Sequence, residues 1–215
     1  MADFRKLFAV SLLAGILAGL LLSLLQHYQT QPLILAAERF EAPDADQAHD
    51  WHPEDGWQRA AFTLLFNCLS GLGFALMLST AMYCQGASGH MRGLLWGMAG
   101  YLVFFVAPAL GLPPELPGTD SAALHNRQAW WLFTAATTAA GLFGLFFGKN
   151  RWLQAGSIIL LLVPHLIGAP HPDAVQALAP EPLQQRFIWM SAVDNALFWL
   201  ALGVFSGWLL PKFRL

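Results

Sequence analysis

Six apolar runs alternate with short polar segments along the chain, at about 7–26, 61–83, 93–112, 129–148, 152–169 and 187–210. Each approaches the ~20 residues that carry a helix across a bilayer. Backbone N–H and C=O groups find no water in hydrocarbon, so runs of this kind must close their hydrogen bonds inside helices. The pattern predicts an all-α, polytopic transmembrane helix bundle of six spans, a single transmembrane domain over residues 1–215 with one long outer loop at 27–60. The fifth run is the shortest and holds Pro164 and His165. Dropping it would leave five spans and put the two termini on opposite sides.

The first run follows Arg5 and Lys6, as a signal sequence would. It outlasts the ~7–15 apolar residues of a signal peptide and no A-x-A site follows it directly, so it reads as a retained first span.

Composition supports a membrane setting. Of 215 residues, 56% are hydrophobic and 11% charged, against roughly 25% charged in soluble domains. Placing the N-terminus in the cytoplasm puts Arg5, Lys6, Arg92, Lys149, Arg151, Lys212 and Arg214 inside and Arg39, Arg59, Arg127 and Arg186 outside. Seven against four obeys the positive-inside bias and places both termini in the cytoplasm. The acids are more lopsided: Glu38, Glu41, Asp44, Asp46, Asp50, Glu54, Asp55, Glu115, Asp120, Asp173 and Glu181 fall outside, with most of the histidines. The basic residues form no clustered soluble face, so no nucleic-acid footprint is present. Cys68 and Cys84 lie about 24 Å apart along one helix and cannot bridge.

A faint internal repeat accompanies this layout. Arg59, Arg127 and Arg186 each precede an inward-going helix, and Asn67 and Asp194 lie eight residues after theirs. Pro108–Pro113 and Pro164–Pro170 end the preceding helices with similar Pro/Gly breaks. The expectation is three helical hairpins, spans 1–2, 3–4 and 5–6, repeated in parallel.

Candidate chemistry is sparse and specific. Asp194 falls inside the sixth span, where a carboxylate costs several kcal/mol unless it is paired, protonated or facing water, so it marks an ion or proton site; a packing role bonded to nearby hydroxyls is the bland alternative. His165 follows a helix-breaking proline, and imidazole suits divalent transition metals. With His27, Glu38 and Glu115 at similar depth, it points to a metal-ligand cluster at the outer mouth; alone it would be an interfacial anchor. His49 and His52 form an H-x-x-H pair beside Asp44 and Asp46, which as readily describes a solvated acidic loop. Asn67 is a further candidate by its repeat position. Gly15/Gly19 and Gly93/Gly97 are small-xxx-small pairs that favour close helix contact. No ATPase domain, Rossmann fingerprint or nucleophile elbow is present, which argues for a transport subunit and against an enzyme, with no permanently bound cofactor.

Several stretches together resemble the CbtA family, a proposed bacterial cobalt transporter subunit. They are Leu25-Gln26 with Pro32–Glu38, Asn67–Ala75, Leu95–Gly100, Pro108–Gly118, Arg127–Trp131 and Pro164–Pro170. The resemblance implies uptake of Co²⁺ (alternatively Ni²⁺ or Zn²⁺) across the bacterial inner membrane, linked to cobalamin synthesis. It further implies a small single-span, histidine-bearing partner similar to CbtB. In this scheme His165, Glu115, His27 and Glu38 capture the ion and Asp194 forms the inner step. Two other readings compete: a membrane redox or haem protein using His27 and His165 as axial ligands, and a non-transporting partner subunit. Homo-oligomerisation is left open.

Overall fold

The computed structural model describes residues 2–41, 53–172 and 177–215. Their regular structure is helical: α1 (Ala2–Tyr28), α2 (Gln31–Glu38), α3 (Trp57–Cys84), α4 (His90–Tyr101) continuing through a π-helical segment (Leu102–Val106) into α5 (Ala107–Ala109), α6 (Leu124–Phe147), α7 (Arg151–Ile167) and α8 (Glu181–Lys212). Five helices are long and apolar enough to cross a membrane: α1, α3, the continuous α4-to-α5 rod, α6 and α8. The fifth apolar run forms α7, only 17 residues long. It nevertheless runs back along almost all of α6, since Gly148 lies against Leu153 at one end and Trp130 Nε1 donates to the Pro164 carbonyl at the other, 3.3 Å.

Small residues decide which helices touch. Gly15 and Gly19 of α1 sit on the backbone of α3 at Gly71–Leu72 and Asn67–Cys68; a Cβ on Gly15 would come 2.6 Å from the Leu72 nitrogen. Gly93 and Gly97 of α4 meet Gly203 and Trp199 of α8 in the same manner. Both small-xxx-small pairs seen in the sequence therefore serve as contact faces. Helix α8, about 48 Å long, is the shared axis: it packs on α1, α2, α3, α4 and the π segment. The core lies between α1, α3 and α8, with Val10, Ala14, Ala18, Ala75, Met82, Leu202 and Leu210 buried. Trp199 of α8 closes it, stacked on Phe104 at 5.3 Å and against Phe74 at 4.9 Å.

The helices do not pair as three consecutive hairpins. Close packing joins α1 with α3, α4 with α8, and α6 with α7, or spans 1 with 2, 3 with 6 and 4 with 5. The third and fourth runs touch where the π segment and α5 meet α6 and where Trp96 lies 6.1 Å from Phe147, less closely than α4 meets α8, and α7 leans on α6 rather than on α8. Glycine stripes favour the partner whose backbone is nearest, and that partner is not always the next helix in sequence.

The two intramembrane prolines have distinct consequences. Pro108 has no N–H and its ring crowds the carbonyl one turn earlier; the chain answers with the π segment just ahead of it, which widens the helix. Pro164 sits one turn before the end of α7, which stops at Gly168 with φ 86°.

One end of the bundle is capped. Within the expected outer loop 27–60, α2 occupies Gln31–Glu38 and α3 already begins at Trp57. Around α2 lie the turn at 110–123 and residues 177–180. Leu178 N donates to Gly118 O at 3.1 Å, and Thr119 bridges Ala177. Gln184 ties the Pro-rich turn to α8, accepting from Leu116 N at 3.0 Å and donating to Pro114 O at 2.7 Å. Ala37, Leu116 and Ala179 are buried beneath.

Candidate functional site

Beneath the cap, where α1, α3 and α8 converge, polar side chains form a string. Ser23 and Gln26 share one face of the last turns of α1, and Thr30 follows at the junction with α2. Asn67, buried at 4% exposure, lies about 15 Å into α3. Its Nδ2 donates to Gln26 Oε1 at 2.7 Å and to Ser23 Oγ at 3.0 Å. Thr30 Oγ1 reaches the Gln26 carbonyl at 3.4 Å. On its other side the Thr30 side chain adjoins Asp194 of α8.

Asp194 is the exceptional member. It is 1% exposed, and among the described residues no hydrogen bond of good geometry reaches either carboxylate oxygen, the Thr30 side chain being the polar group that acts on it. On the same helix Asn195 Nδ2 donates to Ser191 O at 2.9 Å, and Tyr101 Oη donates to Ala192 O at 3.1 Å. A buried carboxylate so sparsely bonded is stabilised by a cation or by a proton.

The other sequence-derived candidates are placed separately. Glu38 receives Arg59 through both guanidinium nitrogens, at 2.8 and 3.4 Å, with Asp55 on the Arg59 Nε at 3.1 Å. Glu115 pairs with Arg127 at 3.6 Å. His27 Nδ1 shares a hydrogen bond with Gln31 Oε1 at 2.9 Å and is exposed. His165 stands edge-on to Trp130, ring centres 6.2 Å apart, on the α6–α7 pair and so on a different helix pair from Asp194. His49 and His52, with Asp44, Asp46, Asp50 and Asp173, lie outside the described residues. Among the described residues no three His, Cys, Asp or Glu side chains come close enough to hold a metal ion together. The expected outer cluster of His27, His165, Glu38 and Glu115 is thus not assembled. Its two carboxylates are engaged by the arginines that begin the next helices, and its histidines belong to different helix pairs.

Sequence reasoning picked out Asn67 and Asp194 but missed Ser23, Gln26 and Thr30, which join them. A signal existed: spacings of three and four residues set all three at the helical period, at the end of an otherwise apolar run.

An open pocket of about 750 Å³ lies beside the π segment, lined by Phe104, Phe105, Pro108, Glu115, Arg127 and Trp131. The Glu115–Arg127 pair also lines it, so its charged side chains offset each other and its remaining walls are mainly apolar.

No curated protein and no solved structure shows a significant match to the chain. The profile of the CbtA family, described as probable cobalt transporter subunit, matches residues 4–211. Helices fit to cross a membrane and a transporter family together make this a multi-pass membrane protein. With nearly the whole chain covered by that profile, the protein belongs to the CbtA family of cobalt transporter subunits.

Proposed function

We propose that this chain is the multi-pass subunit of a permease for a divalent transition metal, with cobalt uptake serving cobalamin synthesis as the leading case. The single observation that carries this reading is the buried, sparsely bonded carboxylate of Asp194 at the end of a polar string, in a chain of a cobalt transporter family. In the proposed topology α7 is the fifth of six crossings, both termini are cytoplasmic, and the capped end faces outward from the bacterial inner membrane. The antiparallel run of α7 along α6 supports that count.

Metal capture is assigned to His165, His27, Glu115 and Glu38 at the outer face, with Asp194 as the inner step and Asn67 holding the polar string in register. The histidines provide imidazole, the donor such ions favour. Each carboxylate would have to exchange its arginine for the ion. Because these residues do not form a closed set on their own, the site is completed by ligands from a second subunit. A small single-span, histidine-bearing chain similar to CbtB fits that requirement, and the family description of a subunit supports a partner.

Cobalt, nickel and zinc accumulation in cells expressing the wild type, His165→Ala or Asp194→Asn, each with its partner chain, tests the proposal. Both variants should lose most accumulation of one metal. Equal accumulation of all three metals in all three strains would remove the permease assignment.

A further inference from the structure

Four arginines lie at the capped end, and they divide into two kinds. Arg59 and Arg127 are neutralised by Glu38 and Glu115. Arg39 and Arg186 have no acidic partner among the described residues, and both line the same cleft. Its volume is about 550 Å³, and Ala36, Phe40, Pro180, Pro182 and Leu183 complete its walls. Two unneutralised guanidinium groups on one apolar cleft repel each other unless an anion lies between them. Guanidinium presents a planar fork that matches phosphate oxygens in two parallel hydrogen bonds.

The position of the cleft narrows the choice of anion. It is built from the end of α2 and the first turn of α8, the two elements at the rim of the capped end. One turn deeper on α8, Trp189 is 67% exposed, as expected of an indole at the boundary between headgroups and hydrocarbon. Phe40 is 48% exposed beside the arginines. A ligand filling this cleft therefore meets positive charge at its mouth and apolar surface along its walls, which is the chemistry of an anionic phospholipid rather than of a free anion.

We propose that the cleft between α2 and α8 binds an anionic phospholipid, its headgroup phosphate held between Arg39 and Arg186 and its acyl chain against Phe40 and Leu183. Since α2 also roofs the polar string through the α1–α2 junction at Thr30, a lipid seated there would brace the cap. This assignment stands independently of the transported ion.

The test uses the full chain in zwitterionic detergent, titrated with dihexanoyl phosphatidylglycerol, dihexanoyl phosphatidylcholine or inorganic phosphate while thermal unfolding is followed. The expected result is a saturable rise in Tm with phosphatidylglycerol alone. Arg39→Gln or Arg186→Gln should each weaken the midpoint about tenfold, as for loss of one charge-assisted contact. Arg151→Gln, an exposed arginine at the opposite end, should leave it unchanged. Both cleft variants alter exposed side chains, and their lipid-free Tm serves as the folding control. An equal rise with inorganic phosphate or with phosphatidylcholine, or a phosphatidylglycerol effect untouched in the double variant, would overturn the assignment.

Discussion

Replacing Asp194 by asparagine separates an ion-handling role from a packing role. The side chains have nearly the same volume, so the core between α1, α3 and α8 is preserved. What changes is the charge: Asp194 is 1% exposed and has the Thr30 side chain as its polar neighbour, with no hydrogen bond of good geometry to either oxygen among the described residues. A carboxylate at the centre of a membrane helix costs about 2.5–3.5 kcal/mol on insertion scales, and an unmet buried polar group costs about 1–3 kcal/mol. Asparagine still leaves its own amide to satisfy, so only part of the cost is recovered, and the variant should be more stable by about 1–2 kcal/mol. Reversible unfolding in mixed micelles of increasing SDS fraction measures that difference, and cobalt accumulation in cells measures function. The expected outcome is a gain in stability with at least a tenfold loss of uptake. A loss of more than about 1 kcal/mol with uptake intact would show that Asp194 is a packing residue and would refute the reasoning.

Other consequences of the geometry are open to measurement. Asn67→Ala removes donors at 2.7 and 3.0 Å and should destabilise by about 1–2 kcal/mol in the same unfolding assay. Gly203→Leu drives a side chain into Gly93 and Gly97 of α4 and should cost about 2 kcal/mol or more. Gly73→Ala meets nothing within 4 Å and should be neutral or stabilising by up to about 1 kcal/mol. Arg59→Ala breaks an ion pair whose side chains are 27% and 32% exposed, so its effect should stay below about 1 kcal/mol. The swapped variant Arg59→Glu with Glu38→Arg restores the pair but sets a second carboxylate beside Asp55, so its Tm should lie between those of Arg59→Ala and the wild type.

Much of the fold was legible in the order of residues. Helix formation in lipid is compelled by unmet backbone groups, so each apolar run announced its helix, and the prolines at 108 and 164 marked where backbone geometry would depart from the ideal. Gly15, Gly19, Gly93 and Gly97 declared themselves contact positions, because a missing side chain in an apolar helix has few other uses. Asp194 stood out because charge is costly at its depth, and Asn67 because it lies eight residues after an arginine, as Asp194 does. Which helix each glycine face would meet could not be read, since an apolar helix carries no label for its neighbour and lipid is as welcoming as protein. Only close backbone approach in three dimensions paired α4 with α8 and α6 with α7, setting His165 on a different pair from Asp194. The arginines at the heads of the spans were visible, but their engagement with Glu38 and Glu115 depends on α2 and the Pro-rich turn folding over the bundle. That same tertiary arrangement brought Ser23, Gln26 and Thr30 between Asn67 and Asp194, because a string across three helices exists only once the helices have met.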